Sequence, residues 1–235
     1  MAVTPVGTPV ELEGDGGTAS SLSGSVTVPV GSNMGLALAL SRGFPSEVIS
    51  GVTFDGNAMT RPTGATVESA DDSLCEIWVI ALGDLGSPLT GDVVVTPASS
   101  TRMAGVAQPV EGLHQTTPVP QVDTDATGGT VSLTSVAAGS LVFAAFAERA
   151  GSVVTSDQTD IATADSGGQL IAAAAYATGG GNISTTWSPS GGAGFVPAAV
   201  AVELAAAAGG GGDPEGPLIG GKLLNGGLLM RRLVA

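Results

Sequence analysis

Apolar and polar residues alternate along residues 26–40, VTVPVGSNMGLALAL, in two runs joined by a turn of small residues. A period of two belongs to a strand with one buried face, so the stretch predicts a strand, a turn and a second strand. The arrangement returns in residues 131–145, VSLTSVAAGSLVFAA. At a shift of 105 residues Val131 stands for Val26, Leu133 for Val28, Leu141 for Leu36 and Phe143 for Leu38. Each copy leads through a polar loop and another apolar strand to a closing strand with the same dipeptide, Val110-Glu111 or Val202-Glu203. Two related halves of one β-architecture are expected.

In the first half the pattern places strands at 25–30, 35–41, 48–54, 58–61, 66–68, 74–82, 92–96 and 103–110. Asp55-Gly56-Asn57 reads as a tight hairpin turn, with positive φ expected at Gly56 and Asn57. Strands of the second half fall at 130–134, 140–147, 153–155, 169–178, 183–187 and 198–204. Residues 171–176 are alanine-rich and have helical propensity. Their place opposite residues 77–82 in the repeat, and the glycines behind them, assign them to a strand.

The remaining segments divide the chain. Residues 1–17 form a polar N-terminal arm, an extended lead-in expected to lie along another surface. A sandwich domain covers 18–207, with halves at roughly 18–113 and 130–207 and a Pro/Thr/Asp-rich connection at 112–129. Residues 208–216 are a glycine-rich linker. Residues 217–235 end in LIGGKLLNGGLLMRRLVA, whose paired glycines disfavour a continuous helix. Free in water this segment would expose seven leucines and isoleucines with a methionine. It reads as a docking segment, with contacts assigned to Leu218, Ile219, Lys222, Leu223, Leu224, Leu228, Leu229, Met230, Arg231, Arg232 and Leu233.

Composition adds three constraints. The 37 glycines and 14 prolines fit short strands and frequent turns. Aromatics make up only 3% of residues, so Val, Leu, Ile and Ala must fill the core. All 21 acidic residues lie at or before Glu215, where only Arg42, Arg61, Arg102 and Arg149 oppose them, while Lys222, Arg231 and Arg232 make the end basic. So acidic a body is repelled by nucleic acid and by anionic membranes, and neither is expected as a partner. The N-terminus has no basic region followed by an apolar run, so synthesis in the cytoplasm without a cleaved signal peptide is expected.

Candidate chemistry is sparse. His114 and Cys75 are the sole residues of their types and lie far apart in sequence, which leaves no Cys/His metal set. No G-x-S-x-G surrounds any serine, and His114 is expected to serve as a solvated or capping side chain. Asp123, Asp125 and Gly128 resemble the start of a calcium loop, but Thr134 stands where its bidentate glutamate should be. Asp157, Asp160 and Asp165 read as solvated loop acids, and the adjacent Asp71 and Asp72 cannot flank a glycosidic bond. Cys75 and Trp78 fall in an apolar strand and are expected in the core. Trp187, beside a glycine-rich loop, is a candidate glycan platform. No enzymatic activity, metal or cofactor is expected.

The series VTVPVGSN, VTFDGNAM, EIWVIAL and GLHQTTP resembles a β-sandwich module of phage and bacterial proteins, and the closing glycine-leucine segment is similar to tails on tailed-phage virion proteins. The resemblance implies a virion surface component, made of subunits that meet other virion proteins and copies of themselves, and it supplies no site residues. The fold expected is all-β: an antiparallel jelly-roll-like β-sandwich of two related halves, with an extended N-terminal arm and a C-terminal tail. The function expected is a head decoration or accessory protein on a phage-like particle. The alternative is a fibre or receptor-binding protein that recognises cell-surface glycans.

Overall fold

Strands account for all the regular secondary structure in the computed structural model, which describes residues 1–14, 16–43, 48–149, 153–190 and 196–208. The first half contains β1 (Thr4–Pro5), β2 (Val10–Glu13), β3 (Leu22–Val28), β4 (Gly31–Gly43), β5 (Ile49–Phe54), β6 (Asn57–Ala58), β7 (Thr66–Glu68), β8 (Ser73–Leu85), β9 (Leu89–Pro97) and β10 (Met103–Glu111). The second contains β11 (Val122–Asp125), β12 (Thr130–Val136), β13 (Leu141–Arg149), β14 (Val153–Ser156), β15 (Thr159–Asp165), β16 (Leu170–Thr178), β17 (Gly181–Ser190) and β18 (Ala198–Leu204).

These strands build four antiparallel layers. An outer sheet β3-β9-β5-β6 covers an inner sheet β10-β4-β8-β7, whose β10 edge also carries β1 and β2. The second inner sheet, β11-β18-β13-β16-β15, is covered by an outer sheet β12-β17-β14. Strand for strand the halves match: β2 with β11, β10 with β18, β4 with β13, β8 with β16 and β7 with β15. The jelly-roll-like wrap is therefore complete within each half, and the two sandwiches stack through their inner sheets.

The layering follows from which faces are apolar. Every residue from Met34 to Leu40 is buried, so β4 has no water-facing side and must be covered twice. Leu36, Leu38 and Leu40 point with Val26, Val28 and Phe54 into the first outer core. Ala37 and Ala39 point the other way, into a middle core shared with Ala145, Ala147, Ala172, Ala174 and Ala198. Val131, Leu133, Phe146 and Trp187 fill the second outer core.

The 105-residue repeat holds for only part of its length. Val26 and Val28, like Val131 and Leu133, face their outer cores. Leu36 and Leu38 do so too, but Leu141 and Phe143 face the middle core. The intervening turns differ: β4 begins irregularly around Met34, after Asn33 at φ 52°, whereas β12 carries a bulge beyond Leu133, with Ser135 at φ 55°. A one-residue slip moves every following side chain to the opposite face.

The Val-Glu repeat has a clear physical role. Glu111 Oε1 accepts the Ser32 N–H at 3.1 Å, and Glu203 Oε1 accepts the Ala137 N–H at 3.0 Å. Each glutamate, in the closing strand of its half, pins the first turn of that half.

Elsewhere the structure departs from the pattern. Residues 10–13 of the expected arm pair with β10, Glu11 opposite Val106, so the arm adds strands to its own sheet. The second half begins at β11, inside the stretch read as connection, and β15 was not expected at all. Asp and Thr obscure the alternation in both strands, which form because β18 and β16 offer open edges. The hairpin turn places positive φ at Asp55 (48°) and Gly56 (76°) rather than at Gly56 and Asn57, since Asn57 already pairs with Phe54.

One buried polar node ties the segment after β6 to β8. Glu76 is wholly buried and accepts hydrogen bonds from Arg61 Nη1 at 2.7 Å, Arg42 Nη2 at 3.5 Å and Thr66 Oγ1 at 3.4 Å, with Trp78 Nε1 donating to its other oxygen at 3.0 Å. The Arg61 guanidinium also lies 5.6 Å from the centroid of the Trp78 ring. Removing the carboxylate strands the buried Arg42 guanidinium, so Glu76→Gln is expected to destabilise the fold by about 3–5 kcal/mol in urea unfolding. In the middle core, Ala39→Leu should cost about 1–3 kcal/mol through overpacking, read as a lower urea midpoint with unchanged slope.

Candidate functional site

The end of the molecule where the halves connect gathers three parts of the chain. After β10 the backbone turns at Gly112, φ 79°, and Leu113 plugs the space over β4. A Cβ at Gly35 would run into that leucine and lie 2.9 Å from the Ile80 carbonyl, so a side chain there would force the layers apart. His114 N–H donates to Ala205 O at 2.8 Å, and Ala207 N–H donates to Gly112 O at 2.7 Å. Ala205 N–H also reaches Pro118 O at 2.8 Å. The N-terminus joins in, with Val3 N–H on Gly139 O at 2.7 Å and the Met1 amino group 3.4 Å from Ala207 O.

The loop that follows is held by its own polar side chains. His114 Nδ1 accepts the Thr116 and Thr117 N–H groups at 3.3 and 3.1 Å. Gln115 Oε1 accepts the Gly83 N–H at 2.7 Å, while its amide donates to Leu113 O at 2.7 Å. This imidazole is a turn cap, its Nδ1 shared among the backbone N–H groups and hydroxyls of Thr116 and Thr117.

Two cavities flank the connection. One, of about 560 Å³, lies over the edge of β8, between Thr60 and Pro62 on one side and residues 115–119 on the other. The other, of about 360 Å³, is lined by Met1, Pro120, Ala137, Ala138, Ser140, Glu203 and residues 205–208. Glu203 and Ser140 are each 2% exposed, and the Ser140 hydroxyl has no hydrogen-bond partner.

Other candidates from the sequence lie elsewhere. Trp187 is 4% exposed, with its ring centroid 5.5 Å from that of Phe146. Its faces belong to the second outer core, because β17 turns its alternate residues inward, and it offers no stacking platform to a glycan. The docking residues assigned at 218–233 lie outside the described residues. Cys75 is buried, and desolvation pushes its thiol far up, with the neighbouring Glu76 carboxylate adding to the effect.

The acidic residues of the loops anchor backbone. Asp123 accepts the Ser132 N–H at 2.6 Å, Asp157 the Thr186 N–H at 2.8 Å, Asp160 the Ser156 N–H at 2.9 Å and Asp165 the Gly168 N–H at 2.8 Å. Asp71 accepts the Val196 N–H, and Asp72 lies 3.8 Å from Arg149. Among the described residues no three His, Cys, Asp or Glu side chains group as metal ligands. Sequence reasoning missed the cavity beside Glu203, because Met1, Ser140 and Glu203 meet only in the folded chain.

No family model matches the chain, and no curated protein or solved structure is significantly similar to it.

Asp125 supplies a pH-dependent anchor. Partial desolvation opposes its ionisation, but hydrogen bonds from Thr130 N–H, from the Thr127 N–H and hydroxyl, and from Gly128 N–H together hold the carboxyl below its ordinary 3.8. A depressed folded-state value contributes stability above 3.8 that is lost as the pH falls through the folded-state value. Asp125→Ala is therefore expected to melt earlier than wild type at neutral pH, with the gap closing in strong acid; melting curves across pH check this.

Proposed function

We propose that the protein is a non-enzymatic structural component of a phage-like virion, a head decoration or accessory surface protein anchored by its C-terminal tail. The observation that carries the reading is the contrast between the acidic body and the apolar, basic segment that follows its last described residues. Ala205 and Ala207 are hydrogen-bonded to Pro118 and Gly112, which ties the last described residues to the connection between the halves. The segment they lead to is apolar and basic, on a body rich in acids. A buried leucine contributes about 1.5–3 kcal/mol. A few such contacts, repeated over symmetric copies, offset the cost of ordering the segment and give a lasting attachment.

The partners in this reading are other virion proteins and further copies of the chain, with the acidic sandwich turned to solvent. Its polar groups support a structural role, since its loop carboxylates and His114 are engaged in holding turns. Deleting residues 217–235 should leave the sandwich folded, as judged by circular dichroism and melting, while abolishing incorporation into particles. Incorporation at the wild-type level would place the anchor elsewhere.

A further inference from the structure

The outer edge of β8, the side away from β4, is almost fully used by the chain itself. Ile77 N–H donates to Ala65 O at 3.2 Å, and Val79 and Thr60 exchange both of their backbone hydrogen bonds, at 2.8 and 2.9 Å. Further along, Gly83 N–H donates to Gln115 Oε1 at 2.7 Å. One residue between these closures is left over. Pairing with β4 runs without irregularity from Val79 to Ala81, opposite Ala37 to Gly35. Backbone groups alternate sides along an antiparallel ladder, so Ala81 turns its N–H and its carbonyl the same way as Val79, away from β4. Among the described residues no hydrogen bond reaches either group. Ala81 is half-buried and lines the cavity of about 560 Å³ between Thr60 and the loop at 115–119.

We propose that this cavity binds an extended, non-acidic peptide segment of another protein, flanked by Lys or Arg, which adds a short strand to β8 at Ala81. One residue of an extended chain presents an N–H and a carbonyl to the same side, the complement of what Ala81 offers. Thr60 closes the edge at Val79 and Gln115 closes it at Gly83, four residues along, a gap of about 13 Å at the rise of a strand. That length admits two or three residues, so a long strand is excluded.

The lining sets the chemistry of the occupant. Pro62, Pro118 and Val119 give small apolar walls, and no residue around the cavity carries a charge. The peptide is therefore neutral and apolar where it enters. Beyond the cavity it meets a chain of net charge −14, which attracts basic flanks and repels acidic ones. The site uses none of the tail residues, and it goes beyond the proposed attachment to a particle without resting on it.

Amide hydrogen exchange of the isotope-labelled full-length protein, read by NMR, tests the site with acetyl-Lys-Val-Thr-Val-Lys-amide as the probe. In the free protein the Ala81 amide is expected to exchange fast between protected Val79 and Gly83. Peptide at about ten times its Kd, taken from the shifts of the Val79 and Gly83 amides, should slow Ala81 exchange about tenfold. Unchanged Ala81 exchange, or no peptide-dependent shift at millimolar peptide, would overturn the proposal. Ala81→Pro removes a donor that the fold leaves unused, as edge strands allow, so it should melt near wild type and lose the shifts. If it melts early, Ala58→Trp, at an exposed position on the cavity wall, must abolish the protection of Ala81 by filling the space, and retained protection counts against the site. Equal protection by the same peptide with glutamate flanks overturns the stated partner chemistry. Protection by an N-acetylglucosamine trimer and not by the peptide overturns it as well, by assigning the cavity to a glycan.

Discussion

The fold depends on the contact between two sheets rich in alanine. Ala37, Ala39 and Ala104 share the middle layer with Ala145, Ala172 and Ala174, beside larger residues such as Leu113, Leu141 and Phe143. Small side chains let two inner sheets stack closely, and the short reach of each makes the fit intolerant of added volume. Because β4 and β13 are apolar on both faces, neither sandwich covers its inner sheet alone. The two halves are thus bound by shared burial, with a single connection at 112–121.

A second economy runs through the loops. In a chain with many acids and few bases, carboxylates find backbone N–H groups in place of cationic side chains. Glu111 and Glu203 pin equivalent turns, and Asp123, Asp125, Asp157, Asp160 and Asp165 fasten the turns of the second half. Glu76 departs from this, compensated by two arginines and an indole, and Asp72 lies 3.8 Å from Arg149. Hydrogen bonds to ionised acceptors are strong for their size, which suits loops that must be held with few cationic side chains.

These features together polarise the molecule. The connection, the N-terminal residues and the last described strand converge on one end, where Leu113 seals the layers and two cavities open. In the proposed reading, the basic, apolar tail makes that end the attachment pole and leaves the acidic remainder to solvent. The virion surface component proposed above uses this polarity through the apolar residues of the tail.

The all-β character, the duplication, most of the strands and the split between acidic body and basic tail are legible in the residues alone. Alternation is a local signal, so Leu36–Leu38–Leu40 is legible without any contact information, whereas the alanine-rich β16 is legible only from its place in the repeat. The Asp-Gly turn after β5 is local too, although its positive φ falls one residue earlier than the pattern suggested. Only the tertiary structure decided which face each apolar run turned inward. The slip between β4 and β13 comes from turn geometry around Asn33 and Ser135, and a single residue there exchanges the middle core for an outer one. Trp187, read as an exposed ring, lies in a core because β17 pairs with β12 and β14. The strands β2, β11 and β15 owe their form to edges supplied by distant partners. The cavity of Met1, Ser140 and Glu203 exists for the same reason: hydrogen bonds between residues far apart in the chain bring together groups that no local pattern links.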